Sequence, residues 1–419
     1  MHFRGTTLTR LTGALALSVL AAGPAGAAGF SIFEHGSKAM GMAGAFTAQA
    51  DDGSAMFHNV AGLAFQKEQS FQLGTTLIKP DSEFRGQAPF PGPSARAEQP
   101  SDSLFFPSHA YWVKPLNPSW TFGFGLSSPF GLTTEWDDPD NFAGRYVSTK
   151  AELRSVDLNP SLGWQITPNF GIGFGAIARF SDVTLERRVP FINPLANRIQ
   201  DAGKVVLESD LEQGYGFNVG MLHKYNNSFS WGLSYRSKIK IEYGGSGRFT
   251  QISTGVAGLD ALLRSRIPFD QDLPIETEVE YPDQASLGFA LAVTPNVLVE
   301  TDFNWTGWSS FDKIDIRFTR NPAFSSEIPE NYEDVYNYRL GIKWTTGQGR
   351  EWRFGYVFDE TPQPEAAISP LLPDGDRTGY TIGYGHKGNH SFDVALMYLP
   401  FDERTRDESF EGEGDFFGT

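Results

Sequence analysis

Phe170-Gly171-Ile172-Gly173-Phe174-Gly175-Ala176-Ile177-Ala178-Arg179 alternates one residue class with another at period two. That is the period of a β-strand, whose successive side chains point to opposite faces. The pattern recurs. Trp120, Phe122, Phe124 and Leu126 alternate with Thr121, Gly123, Gly125 and Ser127; Phe229, Trp231, Leu233 and Tyr235 alternate with Ser230, Gly232, Ser234 and Arg236; Tyr380, Ile382 and Tyr384 alternate with Thr381, Gly383 and Gly385. A soluble sandwich turns its greasy face inward and lines the other with charge. Here the second face is Gly, Ser and Thr, and the greasy face is aromatic. That suits a barrel with apolar side chains toward lipid and an aromatic girdle at each interface.

The connections point the same way. Thirteen strands are expected, near 68–79, 104–115, 119–128, 147–167, 170–188, 204–224, 228–250, 275–293, 296–319, 335–345, 350–359, 377–387 and 390–399. Every second joint is tight: Leu116-Asn117-Pro118, Pro168-Asn169, Asn226-Asn227, Pro295-Asn296, Gly347-Gln348-Gly349 and Lys387-Gly388-Asn389. The joints between them (80–103, 129–146, 189–203, 251–274, 320–334 and 360–376) are long. Short turns on one rim and long loops on the other mark an outer-membrane barrel, which normally has an even strand count. Phe416-Phe417-Gly418-Thr419 reads as the opening of a fourteenth strand. The alternative is a strand split or missed elsewhere.

Totals narrow the function. The 419-residue chain carries 50 Asp+Glu against 34 Lys+Arg, a formal net charge of −16. This balance argues against a nucleic-acid partner, which needs clustered Lys and Arg. The absence of Cys excludes disulfides and thiolate metal sites. Residues 1–27 read as an export signal: Arg4 and Arg10, an apolar core from Leu11 to Ala22, and Ala25-Gly26-Ala27 as a small-x-small cleavage site. No metal or cofactor motif stands out. Gly244-Gly245-Ser246-Gly247 lacks the Lys-Ser/Thr of a phosphate loop and reads as a strand exit. Neither Asp137-Asp138-Pro139-Asp140 nor the acidic stretch from Asp402 to Asp415 has EF-hand spacing. Both read as solvated loop charge, with divalent cations bridging lipopolysaccharide as the alternative.

Between signal and strands lies Ala28 to Phe65, rich in small residues and poor in strand signals. Composition alone fits a mobile arm. Two long loops carry apolar stripes. Phe191, Ile192, Leu195 and Ile199 recur at roughly helical spacing, and Val256, Leu259, Leu262, Leu263 and Ile267 do so more clearly. These stripes serve either loop packing or an apolar ligand groove.

Several segments, taken in order, resemble the FadL family of outer-membrane transporters for long-chain fatty acids and other hydrophobic compounds, with its TodX-type hydrocarbon transporters. They are Ala28-Gly29-Phe30, Glu34, Gly41 to Asp52 and Asn59-Val60-Ala61-Gly62-Leu63; then Ser128-Pro129-Phe130-Gly131-Leu132, Gly144-Arg145-Tyr146 and Leu158-Asn159-Pro160-Ser161; then Asp302 to Ser309 and Leu372-Pro373-Asp374-Gly375-Asp376-Arg377. The resemblance spans nearly the whole mature chain. It departs at Val60, where the family has Pro and a rigid turn. It implies an all-β, fourteen-stranded transmembrane antiparallel barrel (68–419) plugged by an N-terminal hatch (28–67). It implies a monomer in outer-membrane lipid and lipopolysaccharide, with no cofactor and no enzyme activity. The transport implied is passive: capture in a loop groove, binding in an internal pocket beside the mature N-terminus, then hatch movement. Neutral hydrocarbons are the alternative cargo; a general porin and a barrel-bound lipid hydrolase are remoter.

The groove candidates are then Phe191, Ile192, Leu195, Ile199, Val256, Leu259, Leu262 and Leu263. The hatch candidates are Asn59, Val60, Ala61 and Gly62, with Phe30 at the internal pocket. A fatty-acid carboxylate needs a buried cation, and strand phase points Arg179, Arg339 and Lys343 inward. Arg179 is the first choice. The other reading is a lumen charge held in a cross-barrel ion pair.

Overall fold

The computed structural model describes residues 29–80, 83–85, 104–195, 197–388 and 390–404, with the backbone of 409–410 and 414–415. The export-signal reading of 1–27 and the fourteenth-strand reading of 416–419 lie outside these residues.

The strands are β1 (Ser70–Thr75), β2 (Ser108–Pro115), β3 (Trp120–Ser127), β4 (Gly131–Glu135), β5 (Lys150–Thr167), β6 (Phe170–Asn193) and β7 (Arg198–Ser209). Then come β8 (Glu212–Lys224), β9 (Phe229–Arg236), β10 (Ile239–Gln251), β11 (Asp272–Tyr281), β12 (Gln284–Thr294) and β13 (Val297–Thr306). The last of the wall are β14 (Lys313–Phe318), β15 (Ser326–Pro329), β16 (Val335–Thr346), β17 (Arg350–Asp359), β18 (Arg377–His386) and β19 (Phe392–Tyr398).

They form two tiers. The tier beside the short turns runs β1-β2-β3-β5-β6-β8-β9-β12-β13-β16-β17-β18-β19, antiparallel throughout. Those are the thirteen strands read from the sequence. Among the described residues, β1 pairs only with β2, and β19 only with β18. Side chains fasten the tight turns: Asn117 Oδ1 accepts the N–H groups of Ser119 and Trp120, and Asn226 Oδ1 those of Ser228 and Phe229. Outward positions such as Phe71, Trp112, Phe124, Phe174, Leu340 and Tyr398 are exposed. Trp120 and Trp164 stack beside one short turn, with centroids 5.3 Å apart. This is the greasy, aromatic surface a lipid-facing wall needs.

The outer tier corrects four expected strands. The stretches near 204–224, 228–250, 275–293 and 296–319 each break in two, at Asp210–Leu211, Ser237–Lys238, Pro282–Asp283 and Gly307–Asp312. Pro282 cannot donate to a ladder, and Trp308–Ser310 coil into a 3-10 turn. Past the breaks the partners change. The far half of β6 pairs with β7, and β7 then pairs with β10, β10 with β11 and β11 with β14. Gly244–Gly247 is not a strand exit but the middle of β10, where a Cβ on Gly245 would strike the Glu208 carbonyl. The helical reading of residues 191–200 is also wrong. Phe191 and Ile192 end β6, Ile199 begins β7, and Ile192 pairs with Ile199. Pairing over long hairpin arms overrode a short spacing coincidence. The second stripe is helical: α3 spans Ala257–Arg266, with α1 (Ser37–Met40) and α2 (Ala55–His58) earlier in the chain.

Most side chains of residues 30–64 are buried against the inward, glycine-bearing side of the wall. Inward glycines let their backbone approach closely. A Cβ at Gly173 would collide with the Val60 carbonyl, at Gly220 with the Asn59 side chain, at Gly232 with the Thr47 carbonyl, and at Gly355 with the Met42–Ala43 backbone. Two acids on β13 hold the same segment. Asp302 Oδ2 accepts the Phe46 and Thr47 N–H groups, each at 2.9 Å. Glu300 Oε1 accepts the Ala48 and Gln49 N–H groups at 2.6 and 3.3 Å, and Oε2 accepts Gln49 Nε2 at 2.6 Å. Asn59 caps a 3-10 helix (Val60–Phe65): its Oδ1 accepts the Ala61 N–H, and its Nδ2 donates to the Thr47 and Met221 carbonyls.

Candidate binding site

The wall and the N-terminal segment meet at Ser128-Pro129-Phe130. There β3 ends and β4 begins, because Pro129 has no N–H to give. The segment's first residues pair with this break. Ile32 N–H donates to the Pro129 carbonyl at 2.8 Å, and Gly131 N–H to the Phe30 carbonyl at 3.0 Å. Ser155 Oγ ties the break to β5 by donating to the Phe130 carbonyl at 2.6 Å.

Phe30 is thereby fixed in an aromatic layer. Its ring meets Trp308 at 4.7 Å, Phe311 at 5.3 Å, Phe130 at 6.0 Å and Tyr281 at 6.2 Å, all edge-on. Gly29 has φ +72°, and a Cβ there would run into Trp308. Its backbone is clamped by the 360–376 loop and the start of β18. Gly29 N–H donates to Asp374 Oδ2 at 2.8 Å, and Arg377 Nη2 donates to the Gly29 carbonyl at 2.9 Å. Burial pushes the Asp374 carboxyl up from its ordinary pKa, against the pull of Arg377.

Two cavities flank this N-terminal peptide. Phe30 and Phe311 line the apolar one, with Leu132, Leu153, Val183, Leu185, Ile275, Val279, Ile316, Leu371 and Leu372. Ser31 and Phe33 line the polar one, with His58, Ser286, Asn304, Asn337, Asp359, Arg236 and Arg339. Residues 30–33 are thus the partition between a greasy chamber and a wet one.

The predicted cations fall on the polar side or under the aromatic layer. Arg179 is buried and already paired: Nε and Nη2 donate to Asp157 at 2.7 and 2.9 Å, and the guanidinium is 4.6 Å from the ring centroids of both Phe130 and Tyr281. The pair joins neighbouring strands and does not cross the lumen, because Asp157 and Arg179 stand opposite each other in the β5–β6 register. Arg339 lines the polar cavity, 4.1 Å over the Phe33 ring, with Nε donating to Asn337. Lys343 donates to Gln49 Oε1. Asn59, Val60 and Ala61 sit against the wall glycines, while Gly62 faces Ala50 and Ala55 of its own segment.

None of the eight loop residues lines either cavity. Ile192 and Leu195 are 70% and 73% exposed near the β6–β7 tip, with Phe191 and Ile199 beside them. In and beside α3, Val256 and Leu262 are exposed and Leu259 partly so, while Leu263 is buried. Sequence reasoning missed the chamber wall itself. The signal was present: along β5 and β6 the inward phase changes from Gly to Leu153, Val183 and Leu185.

An antiparallel wall that is greasy outside, filled by its own N-terminal segment and chambered above it, defines an outer-membrane transport barrel. The chain belongs to the outer membrane protein transport protein family (OMPP1/FadL/TodX), whose model matches residues 18–414. It is 25% identical to the long-chain fatty acid transport protein of Escherichia coli (strain K12) over 457 residues, covering 99% of this chain and 98% of that one. It is 27% identical over 425 residues to a 47 kDa outer membrane protein of Pasteurella multocida, covering 97% and 94%. Among solved structures, a Pseudomonas aeruginosa FadL homologue shares the fold with a TM-score of 0.79 at 21% identity, covering 93% and 96%. The Pseudomonas putida toluene transporter TodX shares it at 0.65 and 16%, covering 88% and 93%. The protein is a bacterial outer-membrane β-barrel.

Proposed function

We propose that this barrel takes up long-chain fatty acids passively, with residues 1–27 as export signal, 28–67 as movable hatch and 68–419 as transmembrane wall. The reading rests on one observation: the apolar chamber is floored by Phe30, from the same peptide that partitions it from the polar cavity. The exposed residues Ile192, Leu195, Val256 and Leu262 capture the molecule outside, amid lipopolysaccharide. The acyl chain then exchanges water for the chamber wall, at about 0.8 kcal/mol per buried methylene. Displacement of Phe30 joins the chambers, and the ligand leaves past the hatch or sideways at the Pro129 break. Arg236 and Arg339 in the polar cavity offer the head group its cations on the way. The relatives named for fatty-acid transport support this cargo. The barrel acts as a monomer, and its role is transport rather than catalysis.

The second cargo, neutral hydrocarbon, draws on the pairing of Arg179 with Asp157, which leaves that cation no call for a carboxylate. Uptake of labelled oleate and labelled toluene, in cells without a protein of this family, tests both. Oleate uptake restored by this chain supports the first reading, and toluene uptake alone the second. Neither, with the barrel inserted, overturns transport of both classes.

A further inference from the structure

The apolar chamber has little hydrogen-bonding capacity. Among the described residues only Glu152, Ser209 and Thr277 bring polar groups to its lining. Glu152 is engaged by Lys150 at 3.4 Å. Ser209 Oγ already accepts the Val183 N–H at 2.8 Å. Thr277 differs. It stands on β11 between the lining residues Ile275 and Val279, its hydroxyl oxygen is buried, and it has no partner among the described residues. A buried hydroxyl left alone is costly, so the site gains from any guest that completes it.

Among the described residues no cation lines this chamber. Arg179 lies against the faces of Phe130 and Tyr281 and is held by Asp157. A carboxylate entering here finds no counter-charge, which is strongly unfavourable. A hydroxyl, an ester carbonyl or a protonated carboxyl carries no such penalty and bonds to the threonine. We infer that the chamber takes the polar end of its ligand uncharged, on the Thr277 hydroxyl. Its substrate class is therefore long-chain alcohols, esters and fatty acids in the protonated form, the acid having taken its proton from solvent before entry. This rests on the reading that the chamber holds the transported molecule.

The test measures binding of radiolabelled 1-hexadecanol, hexadecanoate and hexadecane to the purified full chain at about pH 8, where a free carboxyl is ionised. Hexadecanol is expected to bind at least about tenfold more tightly than hexadecanoate. Thr277→Val is expected to weaken hexadecanol by about 3- to 10-fold, the worth of one hydrogen bond, and to leave hexadecane unchanged. Hexadecanoate binding as tightly as the alcohol, or hexadecanol indifferent to Thr277→Val, overturns the inference. Leu153→Trp, which fills the chamber, separates the two readings. If it leaves all three ligands bound as before, or if none binds the unaltered chain, the chamber is not the binding site and both readings fall.

Discussion

Gly29 and Asp374 lie 345 positions apart, yet the Gly29 N–H donates to Asp374 Oδ2 at 2.8 Å. Thr361 Oγ1 donates to the same oxygen at 2.7 Å, and Arg377 holds the Gly29 carbonyl. The loop carrying Asp374 also supplies Leu371 and Leu372 to the apolar chamber. One loop therefore touches both the chamber and the residue next to Phe30. Asp374→Ala is expected to cost about 1–3 kcal/mol, since it strands a buried N–H and a buried guanidinium. Limited proteolysis checks it: the N-terminal segment should be cut faster than in the unaltered protein.

Asp302 is the acceptor for two consecutive backbone N–H groups. Asp302→Ala leaves both buried and unpaired, at about 1–3 kcal/mol each. Planar-bilayer conductance should rise as the plug loosens. Asp302→Asn keeps one carbonyl oxygen for those donors and should recover most of the seal. Equal conductance in all three would mean that this acid does not retain the plug.

Gly232 faces the Thr47 carbonyl, with the Asn59 amide beside it. Gly232→Val has no room and should cost upwards of about 1–3 kcal/mol by overpacking. Gly258 in α3 has open space where its Cβ would be. Gly258→Ala should be neutral or slightly stabilising, because helix propensity improves by about 1 kcal/mol. Refolding yield into detergent, followed by heat-modified gel mobility, should separate the two variants.

Val60 occupies the first position of the 3-10 helix, just after its Asn59 cap. A first-turn N–H has no partner within the helix, so proline fits there. The turn forms with valine because Asn59 supplies the fastening that a rigid ring would otherwise provide. Val60→Pro should be neutral or stabilising by up to about 1 kcal/mol. Asn59→Ala should cost at least about 1 kcal/mol for the cap alone. Thermal midpoints would read both.

His35 and His58 are buried in the segment, and His58 Nε2 lies 2.8 Å from the His35 carbonyl. Burial pushes the His58 imidazole down to about 3, and it pushes His35 well below its usual range. Both therefore fold neutral. Below about pH 6.5 the unfolded chain binds protons that the folded one refuses, so stability is full above that pH and falls as acid is added. Denaturant midpoints should drop from about pH 7 to about pH 5, and His58→Gln should flatten the slope.

The wall was legible because period two and turn spacing are local. Trp120 to Ser127 needs no partner to declare two faces. The breaks were not legible, because Ser237 and Asp210 become kinks only where the chain passes from the β8–β9 pairing to the β7–β10 pairing. Phe191–Ile199 misled because four apolar residues in nine positions fit a helix as well as a hairpin. The inward phase of β6 held more than was taken from it. From the short-turn rim it reads Gly171, Gly173, Gly175, Ile177, Arg179, Ser181, Val183, Leu185. That is plug contact, then polar belt, then greasy chamber, in order of depth. Arg179 is buried, and its partner Asp157 lies on the neighbouring strand, a relationship that only the β5–β6 register reveals.

The inward glycines carry a consequence for how the molecule comes into being. A wall pared to bare backbone at Gly173, Gly220, Gly232 and Gly355 has its inner contour cut to one particular filling. The N-terminal segment is related to these strands as a casting to its mould, backbone against backbone. Drift in the sequence of the casting must be matched by drift in the mould.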